Sequence, residues 1–465
     1  MLRRVSSRFE RAAVLGGSIA GLIAARVLAD HFREVVVVER DPHPAGPDPR
    51  KGAPQMRHLH AVLEPSVKAL RALLPGLVEE LAGAGALQVD PGMVSGWYHY
   101  GGWKPRFPTD IDVVLCSRPL IEWHLRRRVE ALPNVRFRHE TTAEELLTDP
   151  GKTRVTGVRI TGAAGEETLS ADLVLDASGR GTRAPRWLEA LGYGHPEHEE
   201  VKIDLAYTSR LYERPADFRG DWRFLAVYSS PPARRCGLAL EIEENRWIVS
   251  LNGYFKDHPP ADDEGFLAFA RSLPVPDLYE AIKDAKPLGP ASTHKVPSSR
   301  WIHYEKMARF PDRLILIGDS VCSLNPIYGQ GMTVTFLCAQ ALAASLEATG
   351  ANLGGLAREV QRKVAGLVAD PWMLSTTMDL RFPEAEGKRL PGLTAVQWAF
   401  ANLIDLTSVD PRACRLFYEI LHMRRGTAAL LRPDMLFPFL AYSAKSLFVP
   451  QPERVTRAMP PAPPA

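Results

Sequence analysis

The densest chemistry in the chain lies near its start. An apolar run leads into Gly16-Gly17-Ser18-Ile19-Ala20-Gly21, and a second apolar run, Val35 to Val38, ends in Glu39 and Arg40. A glycine turn between a strand and a helix lets backbone N–H groups approach a phosphate, and the helix N-terminus adds partial positive charge. A carboxylate at the tip of the second strand accepts hydrogen bonds from ribose hydroxyls. Together these residues can hold the ADP half of a dinucleotide. Ser18 stands where the second glycine of a G-x-G-x-x-G pattern belongs, and serine is small enough to leave room for a phosphate.

A second constellation lies about three hundred residues downstream. Residues 314–318 read as a buried strand, a short apolar run bounded by turn signals. It ends in Gly318-Asp319, and Pro326-Ile327-Tyr328-Gly329-Gln330-Gly331-Met332 then opens a long helical segment. A carboxylate at a strand end can hold a polyol hydroxyl. A glycine-rich loop opening a helix can present N–H groups to an electron-rich heterocycle.

These two motifs resemble those of single-component flavoprotein monooxygenases of the para-hydroxybenzoate hydroxylase type. A third element is similar too: Arg118 opens Arg-Pro-Leu-Ile-Glu-Trp-His-Leu, like the family's cofactor-contacting Arg-x-x-Leu-x-x-x-Leu helix start. The resemblance implies FAD, with Gly16, Gly17, Ser18, Ile19, Ala20, Gly21, Glu39, Arg40, Arg50, Lys51 and Arg118 on the cofactor. Asp319 would hold the ribityl chain, with Pro326, Gly329, Gln330, Gly331 and Met332 around the flavin. Cys322 replaces a histidine common in the family, so no role for that histidine carries over. The middle motif, Asp176-Ala177-Ser178-Gly179, departs from the family's Asp-Gly element and is similar to that of squalene-epoxidase-like enzymes and flavin halogenases. The segment Arg50-Lys51-Gly52-Ala53-Pro54-Gln55-Met56-Arg57-His58-Leu59-His60 resembles a loop of bacterial polyene epoxidases of polyether biosynthesis.

The implied chemistry belongs to the flavin, whose C4a-hydroperoxide donates one oxygen atom from O2, so no side-chain nucleophile is expected. Transfer to an alkene gives an epoxide and transfer to a phenol a hydroxylated ring. The polyene-epoxidase resemblance and the apolar C-terminal third favour a hydrophobic polyketide- or isoprenoid-like alkene; aromatic hydroxylation is the alternative. Halogenation and prenyl reduction rank after these. The halogenase Trp-x-Trp-x-Ile-Pro signature is missing, its nearest match being Arg246-Trp247-Ile248-Val249. Electrons would come from NAD(P)H or a flavin-reducing partner, since no separate nicotinamide-binding motif follows residue 200.

An aromatic stretch, Trp97 to Trp103, offers pocket walls. Strand alternation would put Tyr98 and Tyr100 on one face and Trp97 and His99 on the other. Only one face can look at the flavin, so at least half of the cluster is structural. The candidate substrate contacts are Trp97, Tyr98, Tyr100 and Trp103, with Tyr328 from the second constellation. His58 and His60 share one side of an extended segment, but no carboxylate or thiol completes a metal site; no metal is expected. A degenerate nucleophile elbow over Gly16-x-Ser18-x-Ala20 is a weaker reading, because a hydrolase has no use for Glu39.

The elements that must position these residues follow from pattern. Strand, helix and strand cover 12–40, one helix falls around 62–83, aromatic-rich strands lie within 93–116, and several strands fill 135–175. Further strands at 202–211, 224–229, 237–242 and 246–253 surround a helical interlude from 263. The fold class is therefore α/β: a Rossmann-like FAD-binding domain (1–90, 112–200 and 300–350) interrupted by a largely antiparallel β domain (91–111 and 201–299). A helical region (351–449) follows, and a Pro-rich tail (450–465) is expected to be disordered. With 465 residues and 45% apolar content, the chain can bury a large core. A net charge of +3 without basic clusters argues against a nucleic-acid partner. No apolar run is read as a bilayer span, and five scattered cysteines fit a reducing bacterial cytoplasm.

Overall fold

The computed structural model describes residues 9–448 and 458–463. Its first layer is a five-stranded parallel sheet in the order Leu314–Leu316, Leu173–Asp176, Phe9–Leu15, Phe32–Val38, Val135–Arg138. Such a sheet is buried on both faces, which is why its strands read as continuous runs such as Val35 to Val38 rather than as alternating ones. Helices Ile19–Ala29, Arg118–Glu130, Gly331–Ala348 and Leu356–Asp379 pack around it. Helix Gly331–Ala348 is long and apolar enough to cross a membrane by length and composition, with half of it buried inside the molecule.

The second layer is an eight-stranded, mostly antiparallel sheet. Its central strands are His198–Glu213, Arg246–Tyr254, Arg235–Ile242 and Phe224–Tyr228. Ser95–His99 joins its edge in parallel with Phe224–Tyr228, so the aromatic stretch and the strands after residue 198 share one sheet. One face of this sheet is sealed by helices Asp263–Arg271 and Asp277–Ile282 over Trp247, Val249 and Leu251. The opposite face carries Trp97, Leu240 and Ile248, with helix Pro411–Leu421 packed against it. The C-terminal helices thus cover the inner face of the sheet.

Two expectations need correction. The helix expected around 62–83 is two, Glu64–Leu73 and Leu77–Gly83. Pro75 lacks the N–H to continue the first, and Gly76 takes the left-handed conformation (φ +86°) that starts the second. The second correction concerns the Pro-rich tail, much of which (450–457 and 464–465) lies outside the described residues. Residues 458–463, however, are docked on the β domain rather than disordered. Met459 covers Gly96, where a Cβ would meet its sulfur at 2.6 Å; Ala462 N–H donates to Asp221 Oδ2 at 2.6 Å, and Arg106 Nη1 donates to the Pro460 carbonyl at 3.2 Å. Deleting residues 458–465 should therefore lower stability by roughly 1–2 kcal/mol, the burial of one partly covered apolar side chain and its anchors. Thermal melting checks this: an unchanged midpoint would mean that the docked segment carries no stability.

Candidate active site

The glycine turn is shaped by two close approaches. Gly16 adopts φ +98°, and a Cβ there would meet the Ala177 carbonyl oxygen at 2.7 Å; a Cβ on Gly21 would stand 1.7 Å from the Gly16 oxygen. Only glycine lets the first helix sit directly on the turn and the turn directly on the neighbouring strand end. Ser18, at the N-cap, makes no capping bond. Its hydroxyl instead donates to Glu122 Oε2 at 2.6 Å and accepts from Arg118 Nη2 at 3.2 Å. The serine that breaks the glycine pattern is thus held by the helix that Arg118 opens.

Glu122 is the hub of a buried charge cluster. Arg50 donates to its Oε1 at 2.5 Å and to Asp41 Oδ2 at 2.7 Å, and stands 3.5 Å from Glu39. Burial pushes the Glu122 carboxyl up, but Arg118 and Arg50 together hold it below its ordinary value. Glu39 is itself buried, accepting from the N–H groups of Gly17 (2.8 Å) and Asp41 (2.9 Å). Arg118 Nε is buried with no hydrogen-bond partner beside the turn. A guanidinium nitrogen left free next to a glycine turn and a helix N-terminus fits an anionic diphosphate.

The middle loop is organised by Asp176, which accepts from the Ser178 N–H (2.8 Å) and from the hydroxyls of Ser178, Thr182 and Ser320. Ser320 also accepts from the Gly179 N–H at 2.9 Å, tying this loop to the Gly318-Asp319 turn. Asp319 is solvent-accessible because it lines the large cavity, although protein is packed densely around it. Burial raises its carboxyl pKa, against the pull of Arg118, Arg180 and Arg300. Gly329 (φ +69°) and Gly331 have no neighbour within 4 Å of where a Cβ would be, so the loop that opens helix Gly331–Ala348 presents bare backbone to open space. These features make a cradle that fits a flavin dinucleotide.

One cavity of about 600 Å³ connects these parts. Ser18, Ile19, Ala20, Arg40 and Arg118 line it at one end, Asp319, Pro326, Gly329, Gly331 and Met332 in the middle, and an aromatic chamber closes the other end. In that chamber Trp97 stacks on Tyr228 at 5.8 Å and meets Phe417 edge-on at 5.4 Å. Phe400, Leu403 and Leu421 close it from the C-terminal helices. His58, donating to or accepting from Ser209 Oγ at 2.8 Å, and His60, bonded to the His58 carbonyl, lie on the wall. Burial brings both imidazoles down to about 3, so they are neutral polar contacts.

Gly16, Gly17, Gly21, Glu39 and Arg50 lie behind the cavity wall rather than on it, and other sequence-derived candidates lie elsewhere. Tyr98 and Trp103 pack edge-on at 5.4 Å in the core on the opposite face of the sheet. Tyr100 nevertheless reaches the cavity with Trp97 and His99, because the strand ends at His99 and Tyr100 turns to φ +52°, which cancels the alternation. Lys51 is exposed outside the cavity. Gln330 points away from it, its side chain donating to the Leu421 carbonyl at 3.1 Å and so fastening the glycine loop to the C-terminal helices. Cys322 is buried with its thiol pushed up by burial and does not line the cavity.

The chain's composition hid one group at this site. Asp379, near the end of helix Leu356–Asp379, is fully buried; its Oδ1 accepts from Asn325 Nδ2 (2.8 Å) and the Tyr328 hydroxyl (3.0 Å). Asn325 Nδ2 also donates to the Tyr254 hydroxyl at 3.1 Å. Burial pushes the Asp379 carboxyl up to about 7.

No family model matches the chain. Protein Rv3254 of Mycobacterium tuberculosis is 35% identical over 406 residues, 84% of each chain. The chain belongs to the family of that mycobacterial protein. Kynurenine 3-monooxygenase of Salinispora arenicola is 28% identical over 359 residues, 71% of each chain. Among solved structures, p-nitrophenol 4-monooxygenase PnpA of Pseudomonas putida DLL-E4 superposes with a TM-score of 0.61 at 18% identity, covering 90% of this chain and 99% of that one. The fold is that of the FAD-dependent monooxygenases.

Asp379 generates a stability prediction whose sign can be worked out. Its folded pKa, about 7, lies above that of an unfolded aspartate, near 4. Between those values the folded chain keeps a proton that the unfolded chain has lost, so stability falls as pH rises, by at most about 1.4 kcal/mol per pH unit. Asp379→Asn removes that fall. Its melting temperature relative to the natural chain should be higher at pH 8 than at pH 5; a pH-independent difference would contradict a buried, cation-free carboxylate.

Proposed function

We propose that the chain is an FAD-dependent monooxygenase acting on a hydrophobic small molecule. The observation that carries this reading is the single cavity running from the glycine turn, past Asp319 and the bare backbone at Gly331, into a chamber walled by Trp97, Tyr228 and Phe417. The turn, Ser18 and Arg118 would hold the diphosphate, Asp319 the ribityl hydroxyls, and the Gly329–Met332 loop the flavin edge. Bound there and reduced by NAD(P)H or a reductase, FAD would supply activated oxygen from O2. The chain's own work is to bind, to orient and to keep water out. The C-terminal helices cover the chamber, and its aromatic walls reward apolar substrate surface at roughly 25 cal/mol per Å².

Oxygen transfer to an electron-rich double bond takes two forms here. Epoxidation of an alkene needs only orientation in an apolar chamber, and the Trp97–Tyr228–Phe417 wall supports it. Hydroxylation of a phenol or enol also needs somewhere for a proton to go, and the Tyr328–Asp379 pair supports that second reading. Halogenation has less support: Trp247, in the nearest match to the halogenase signature, is completely buried in the core on the far face of the sheet.

Purified protein should be yellow, releasing FAD on denaturation. Asp319→Ala should weaken FAD binding at least about tenfold, because each hydrogen bond to a charged group contributes roughly 1.5–3 kcal/mol. With alkene and phenol panels under heavy-isotope O2, one labelled oxygen atom should enter the product. Oxygen-independent turnover to a saturated product would hand the site to prenyl reduction, and a wild-type protein that cannot take up FAD would falsify the reading as a whole.

A further inference from the structure

Three side chains from three elements converge at the edge of the parallel sheet, away from the cavity. His43 lies in the loop after strand Phe32–Val38, Glu130 ends helix Arg118–Glu130, and His139 follows the edge strand Val135–Arg138. Their ligand atoms, one imidazole nitrogen from each histidine and one carboxylate oxygen, all lie within 4.8 Å of one another. No metal is expected from the sequence, because these residues come together only when the two strands pair. The pairing runs on past the strand ends. Glu39 N–H donates to the Arg138 carbonyl at 2.9 Å and Thr141 N–H to the Glu39 carbonyl at 3.0 Å, which fixes the two histidine-bearing segments side by side.

The bland account is a surface ion pair between His43 and Glu130, with His139 as a bystander. Two observations oppose it. His43 Nε2 stands 3.2 Å from Glu130 Oε1 without the alignment of a hydrogen bond, and that buried oxygen has no hydrogen-bond partner. His139 Nε2 is likewise buried without a hydrogen-bond partner, whereas its Nδ1 meets the Asp41 carbonyl at 3.4 Å. A carbonyl can only accept, so Nδ1 carries the proton and Nε2 presents a lone pair to the group. Metal-binding imidazoles are commonly oriented through their second nitrogen in this way. His303 is the contrasting case: both of its ring nitrogens are bonded to carboxylates, Glu305 at 2.7 Å and Glu199 at 2.8 Å, which leaves nothing for a ligand.

The donor set selects the ion. Two imidazoles and one carboxylate suit zinc and its neighbours, with bonds of about 2.0–2.2 Å that put tetrahedral ligand atoms roughly 3.3 Å apart. His43 Nε2 and Glu130 Oε1 already stand 3.2 Å apart, and the exposed His43 side chain is free to swing and close the remaining gap. Glu130 is also the last residue of its helix, where the partial negative charge of the free carbonyls favours a cation. Arg126 opposes the ion, with Nη1 3.9 Å from Glu130 Oε1, but its Nη2 is committed to the Gly17 carbonyl.

We infer that His43, Glu130 and His139 form a binding site for a divalent cation of the zinc class. The ion fastens the loop that follows Glu39 to the helix and strand beside it. None of the three residues lines the cavity, so the ion is structural and takes no part in oxygen chemistry. The inference therefore stands apart from the monooxygenase reading.

The test titrates zinc chloride into the untagged full chain as purified, after treatment with a chelator and dialysis. Calorimetry should give one equivalent bound. The melting midpoint should rise with zinc and not with magnesium, which prefers oxygen ligands. His43→Ala, a change to an exposed side chain, should weaken zinc binding at least about tenfold. His139→Phe, which keeps a ring stacked on Phe137, should do the same. His195→Ala removes an exposed histidine paired with Glu189 and should leave zinc binding unchanged. Crystals grown with zinc should give an anomalous peak roughly 2.0–2.2 Å from Glu130 and His139. Absence of stoichiometric binding, natural affinity in both His43→Ala and His139→Phe, or a peak located elsewhere overturns the site.

Discussion

The site depends first on a buried charge balance. Glu122 lies buried between Arg50 and Arg118 and takes the hydroxyl of Ser18, so one carboxylate joins the glycine turn, the loop after the second strand and the helix that Arg118 opens. Removing one partner of such a buried group typically costs about 3–5 kcal/mol, because the remaining charge cannot reach solvent. The same balance explains how the chain tolerates serine in a glycine pattern. The extra hydroxyl is drawn sideways to Glu122, and Arg118 is left with a free nitrogen beside the turn.

On this base the two sheets divide the work. The parallel sheet supplies strand ends that carry the glycine turn, the Asp176 loop and Asp319, tied together through Ser320. The eight-stranded sheet supplies a wall, covered outside by its own helices, with its inner face shared between the cavity and helix Pro411–Leu421. The C-terminal helices close the third side and are fastened to the glycine loop twice, by Gln330 to Leu421 and by Asn325 and Tyr328 to Asp379. Those fastenings place a carboxylate at the end of helix Leu356–Asp379 behind the substrate wall.

Local motifs were the legible part of the sequence. Gly16 to Gly21 and Gly318 to Met332 declare themselves because a turn with no room for Cβ, or with backbone facing open space, demands glycine at fixed spacing. The strands after residue 198 were legible as short apolar runs bounded by turn signals, because most of their residues are buried on both faces. Alternation could not say which face of Ser95–His99 the outer helices would cover, so Tyr98 and Trp103 were placed on the wrong side. Nor could it foresee that the strand would stop one residue before Tyr100. Asp379 was illegible for a different reason: its partners, Asn325 and Tyr328, lie more than fifty residues earlier in the chain. The only local signal was one carboxylate in a segment of helix whose neighbours, such as Trp372, Met378 and Leu380, are apolar and buried.

The central claim is that one flavin spans both sheets, with its diphosphate at the glycine turn and its ring system at the mouth of the aromatic chamber. The most direct test is a crystal structure of the protein grown with FAD. The account predicts density for the diphosphate beside Ser18 and Arg118, for the ribityl chain at Asp319, and for the ring against the Gly331 and Met332 backbone with one edge open toward Trp97 and Tyr228. A flavin bound elsewhere, or one whose ring turns away from the chamber, would contradict it.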